Sequence, residues 1–125
     1  MIADLEKIKY STNPYNLDRL TLTLGEATID AESYYQEKCA EIIKTREWTE
    51  KELKKLGFSV LPSQTNFLFA KTDKMDGGEL YEVLKSKGIL VRHFTNPKID
   101  QYNRITIGSP SEMETFIRTL KEVLL

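Results

Sequence analysis

The sequence predicts an α/β fold: a small mixed sheet with a long N-terminal helix and further helices packed on it. Three observations carry this. Helical periodicity dominates between residue 17 and Gly57, extended runs rich in phenylalanine replace it from Phe58 to Lys71, and helical and extended patterns then alternate to the end. With 125 residues and 40% hydrophobic content, the chain can bury one sizeable core, and nothing in it suggests a second.

Taken in order, residues 1–16 read as a connecting segment, punctuated by Ser11, Thr12, Asn13 and Pro14 and lacking helical periodicity. Helix follows almost to Gly57. Thr23-Leu24-Gly25-Glu26 resembles a capping box, which predicts that a short helix ends there and a long one begins. In the long helix Ala31, Tyr35, Cys39 and Ile42 form an apolar stripe that Leu53 and Leu56 resume, with Arg46 and Thr49 interrupting it. Glu47 with Lys51 and Glu50 with Lys54 are four-apart ion pairs that mark a solvated face. Gly57 suits the left-handed residue that ends the helix.

Phe58–Leu61 and Thr65–Lys71 read as strands separated by Pro62. Asp76 caps a helix carrying Leu80, Val83 and Leu84, and Gly88 ends it. Strand, helix and strand in succession predict a right-handed parallel crossover between the Phe67 strand and the Val91 strand. A further strand around Ile105 and a final helix complete the domain. Ser109 caps that helix, Pro110 takes its first position, Glu112 reaches back, and Met113, Phe116, Ile117, Leu120 and Leu124 form its apolar face.

The chemistry concentrates in two arginines. Gly88-Ile89-Leu90-Val91-Arg92 reads as a strand ending in a cation, and Arg104-Ile105-Thr106-Ile107-Gly108 as a strand beginning with one. If the two pair as a hairpin, both guanidiniums lie at the loop end of the sheet. Like charges placed opposite each other destabilise a sheet, so an anion, or a nearby carboxylate, is expected between them.

Three strings carry a resemblance: Pro62-Ser63-Gln64-Thr65-Asn66-Phe67, Gly88-Ile89-Leu90-Val91-Arg92 and Arg104-Ile105-Thr106-Ile107-Gly108-Ser109-Pro110-Ser111-Glu112-Met113. Together they closely resemble the carboxyl-terminal part of histidinol-phosphate aminotransferases, and the likeness extends upstream through Arg46-Glu47 and Pro14-Tyr15-Asn16-Leu17. The resemblance covers nearly the whole chain but only about the last third of such an enzyme. It implies the small domain of a fold type I aminotransferase over residues 17–125, with a large cofactor domain upstream and a homo-oligomer as the assembly.

The resemblance also implies the site. Arg104 would grip the α-carboxylate of an amino-acid substrate, and Arg92 the phosphate of histidinol phosphate, in amino transfer to 2-oxoglutarate during histidine biosynthesis. Pyridoxal phosphate would serve the full-length enzyme, with none bound to this chain, because no Schiff-base lysine segment is present. Lys71, Lys74, Lys85 and Lys87 sit in polar surroundings, where an amine keeps its proton. No catalytic residue is expected here, and the chain alone should not transaminate. In place of the usual apolar residue before the arginine stands Asn103. The alternatives are another aminotransferase or a phosphothreonine decarboxylase of the same family, or a truncated, non-catalytic binding domain.

The resemblance implies amino-acid and phosphorylated small molecules as partners, and the composition requires that any partner be recognised locally. A net charge of −1, from 18 basic and 19 acidic residues, offers no field for nucleic acid or membrane lipid. The single Cys39 rules out an internal disulfide framework and fits a reducing cytosol. No apolar run approaches transmembrane length. Simpler roles suit the remaining candidates: Asn66 satisfies a turn or strand edge, His93 is a solvated loop residue without a second metal ligand, and Cys39 is a small core residue. Trp48 and the pair Tyr34 and Tyr35 pack between helix and sheet or against the cofactor domain. Tyr15 and Asn16 fit turn chemistry about as well as a reach into the cleft.

Overall fold

The structure, a computed structural model, describes residues 1–12, 15 and 17–124. It separates into two compact units, Met1–Gln36 and Glu37–Leu125. The first holds α1 (Ile2–Thr12), α2 (Arg19–Asp30) and the first residues of α3 (Glu32–Lys55). A helix over Ile2–Thr12 replaces the turn-punctuated stretch expected there, and the expectations at Asn13, Pro14 and Asn16 lie outside the described residues.

The helix break expected near Gly25 falls instead at Ala31, the C-cap of α2. Thr23 does not cap. Its hydroxyl donates to the Arg19 carbonyl, as that of Thr28 does to Leu24, so both act as interior helix residues bonding one turn back. The N-cap is Asp18, whose carboxylate accepts from the Thr21 amide.

The second unit contains the rest of α3, then β1 (Phe58–Val60), β2 (Phe67–Thr72), α4 (Gly77–Ser86), β3 (Arg92–His93), β4 (Asn103–Thr106) and α5 (Pro110–Leu124). The four strands lie in the order β1-β2-β4-β3, and every neighbouring pair is antiparallel. Adjacent strands are therefore never parallel and the sheet is not mixed by pairing, although the Phe67 and Val91 segments run in the same direction, as the expected crossover requires. Both strands run antiparallel to β4, so they are parallel to each other, but β4 lies between them. Only Arg92 and His93 of the segment Gly88–His93 join a ladder. A two-residue strand makes an edge, and β4, with buried Asn103 and Ile105, takes the central position.

One face of the sheet is covered. Leu68 and Ala70 of β2 and Ile105 of β4 meet Leu53 and Leu56 from the end of α3, Leu80 and Leu84 of α4, and Met113, Phe116, Ile117 and Leu120 of α5 in a single core. Alternation along β2 sends Phe67, Phe69 and Lys71 to the other face. Gly57 and Gly88 have φ of 90° and 80° and stop α3 and α4 as expected. Core contact along α3 begins at Ile42 and continues through Thr45, Arg46, Thr49 and Leu53. Cys39, one turn earlier, has no core to enter and is exposed, contrary to the expectation of a core residue.

Candidate functional site

The β3–β4 hairpin places Arg92 directly opposite Arg104 and His93 opposite Asn103. Phe69 lies opposite Arg104 on its other side, so Phe69, Arg104 and Arg92 form one row across the open face. The pairing that brings both guanidiniums to the loop end of the sheet is the one the sequence predicts. Directly opposed side chains on such a ladder start about 5 Å apart at Cβ, within reach of one small anion.

Aromatic rings floor this face. The Arg104 guanidinium carbon lies 5.2 Å from the Phe67 ring centroid and that of Arg92 5.4 Å from Phe94. Phe69 meets Phe94 edge to face at 6.0 Å and stacks on Tyr102 at 4.8 Å, and the Lys71 ammonium sits 5.6 Å from the Tyr102 ring. Each cation over a ring gains about 0.5–1 kcal/mol, and the ring holds the planar fork at a fixed tilt. Neither arginine pairs with a carboxylate among the described residues. Arg104 Nε is buried without a hydrogen-bond partner. A buried donor left unpaired is costly. Two opposed cations with no carboxylate partner among the described residues suit a carboxylate or phosphate, which a guanidinium can hold in two-point fashion. Arg92 also lines a cleft of about 530 Å³ with Gly78, Tyr81, Glu82, Val91, His93 and Thr95.

On the opposite face of the same hairpin, His93 is half-buried, not solvated. Its ring is stacked on Tyr81 and its Nε2 lies 2.7 Å from the Asp100 carbonyl. Asp76, the N-cap of α4, accepts from the Gly78 and Glu79 amides and from the Gln101 side chain. Those bonds, the Gln101 amide foremost, hold its carboxyl below the usual range. Glu112 is likewise held low, first by the Ser109 hydroxyl and then by the Ser109 amide, completing the expected capping box at the start of α5.

The family model for aminotransferase class I and II matches residues 6–120. The chain belongs to that family. It is 44% identical over 124 residues to the histidinol-phosphate aminotransferase of Clostridium beijerinckii, a match covering 99% of this chain and 35% of that protein. Among solved structures it is similar to the histidinol-phosphate aminotransferase of Clostridium acetobutylicum, with TM-score 0.68 and 29% identity over 74% of this chain and 29% of that one. The fold is shared with the Sinorhizobium meliloti histidinol-phosphate aminotransferase solved with pyridoxal-5'-phosphate, at TM-score 0.77 and 23% identity over 90% of this chain and 31% of that one. This aminotransferase-family chain thus spans about a third of the length of the curated relatives it matches.

Of the residues singled out from the sequence, Arg92 and Arg104 come together, while Asn66 is exposed and contributes its carbonyl to the Ile107 amide. Tyr34 and Tyr35 meet edge to face at 5.3 Å and are exposed. Trp48 borders a cleft with Glu41, Lys44, Thr45, Pro110 and Glu114. Sequence reasoning missed Arg46. Only 8% exposed, it donates to the Thr65 carbonyl at 2.8 Å and ties α3 to the turn before β2. Its signal was present as a cation on an otherwise apolar stripe.

Proposed function

We propose that residues 17–125, after a connecting segment of residues 1–16, form the small domain of a pyridoxal-phosphate-dependent aminotransferase. Its reaction is amino transfer between histidinol phosphate and 2-oxoglutarate in histidine biosynthesis, in the cytoplasm, by a homo-oligomer. The observation that carries this reading is the opposed pair Arg92 and Arg104 on the open aromatic face, unpaired with any carboxylate among the described residues. In this reading Arg104 grips the substrate carboxylate, and Arg92 meets the phosphate of histidinol phosphate. The similarity to named histidinol-phosphate aminotransferases supports the substrate assignment.

This chain's described lysines do not fit the role of cofactor attachment. All are exposed except Lys71, which is half-buried with its ammonium over the Tyr102 ring. An amine activated as a nucleophile is desolvated, and none here is. The cofactor and the chemistry it supplies are therefore assigned to the remainder of the enzyme, and this domain contributes orientation and charge.

The test uses an enzyme completed with the upstream part of the Clostridium beijerinckii relative. Arg104→Lys keeps the charge and loses the fork. A charge-assisted hydrogen bond contributes ~1.5–3 kcal/mol, so kcat/KM for glutamate should fall roughly tenfold to a hundredfold. Arg92→Ala should penalise histidinol phosphate similarly and leave histidinol, which lacks the phosphate, almost unchanged. Equal losses on both would make Arg92 structural and remove the specific assignment, leaving another aminotransferase or a phosphothreonine decarboxylase.

A further inference from the structure

We propose that Asn103 is a positioning residue for the arginine pair: its buried amide latches the hairpin loop onto the first turn of α4 and thereby holds the pairing that spaces Arg92 and Arg104. The inference rests on the reading of those arginines as an anion grip. Asn103 is 2% exposed, and its Nδ2 donates to the Gly77 carbonyl at 2.9 Å. Its Oδ1 is buried with no partner.

That unpaired acceptor makes the amide an expensive choice. A leucine of similar volume would remove the orphaned oxygen together with the bond to Gly77, so relief of the unpaired acceptor offsets part of the lost bond. What the amide adds is a fixed point. Around it the loop of residues 94–102 is fastened to α4 by Gln101 Nε2 on Asp76 Oδ2 at 2.8 Å and by the His93 ring, which bridges from Tyr81 to the Asp100 carbonyl. The backbones approach closely enough that a Cβ at Gly77 would lie 2.7 Å from the Gln101 carbonyl carbon.

The topology explains why a fastening is needed. β3 contributes two residues, and a ladder of two pairs is too short to hold itself. Successive residues face opposite ways. The pair His93 and Asn103 therefore engages α4 while the pair Arg92 and Arg104 faces the open side. Fixing the first pair fixes the second.

The experiment compares the chain with its Asn103→Leu and Gly77→Ala variants. It reads the thermal midpoint, the cross-strand nuclear Overhauser contact between Arg92 and Arg104, and affinity for inorganic phosphate and L-glutamate. Asn103→Leu should still unfold cooperatively, yet lose the cross-strand contact and bind both anions several-fold more weakly. Gly77→Ala, which wedges the loop from α4 and so draws the Asn103 amide off its acceptor carbonyl while leaving the amide itself in place, should lose the same contact. If Asn103→Leu fails to fold, the Gly77→Ala result decides. A retained contact and unchanged affinities would overturn the proposal. Binding of neither anion by the unsubstituted chain would remove the anion-grip reading, while the cross-strand contact still judges the latch.

Discussion

At the scale of single residues, the candidate site brings two cations together on a two-pair ladder and offers them aromatic faces in place of counter-charges. Arg104 lies over Phe67 and Arg92 over Phe94. Arg46 shows the opposite use of the same side chain: it is buried, and its guanidinium donates to a backbone carbonyl. Arg46→Leu should keep the apolar stem contacts of α3 and strand the Thr65 carbonyl. Thr65 is exposed, so water can take the place of the guanidinium, and urea unfolding should show only the net worth of one hydrogen bond, about 1 kcal/mol. An unchanged midpoint would mean that the bond adds nothing net to the fold.

At the scale of elements, helix starts control the geometry near the hairpin. Ser109 caps α5 through a reciprocal exchange with Glu112, and Asp76 caps α4 while also holding Gln101. Ser109→Ala should destabilise by about 1 kcal/mol, visible as a lower thermal midpoint. The carboxyls of Asp76 and Glu112 are both held below their usual range in the folded chain. A depressed folded value means stability that is present above the ordinary carboxylate range, about pH 4, and lost as pH falls through the folded values. Melting temperature should therefore drop on acidification below about pH 4, and more shallowly in a Glu112→Gln variant. Equal slopes would show that Glu112 gains nothing from its cap.

At the scale of the molecule, the two units differ in what they bury. The core lies wholly within Glu37–Leu125, whereas α1 and α2 bury no residue and expose Leu5, Ile8, Leu20, Leu22, Leu24 and Ile29. Isolated helices of 11 and 12 residues are marginal in water. Amides of α1 and α2 should exchange with solvent far faster than those of β2, β4 and α5, by hydrogen exchange at neutral pH. Exposed apolar residues also promote association, and sedimentation should show oligomers that grow with concentration. A monomer at every concentration would count against the homo-oligomer proposed above. Among the described residues no helix is long and apolar enough to cross a membrane.

The sequence by itself determined what local chemistry can specify. Helix stops at Gly57 and Gly88, the caps at Asp76 and Ser109, the β2 alternation and the facing arginines all follow from dihedral preference, hydrogen-bond donors and side-chain period over a few residues. Tertiary structure alone decided which strands neighbour which. Placing β4 between β2 and β3 depends on how much of each strand the core can cover, a sum over distant residues. It likewise decided the fates of His93, Asn103 and Cys39. Whether a polar or small side chain is buried depends on what another element brings to it, and no local pattern records that.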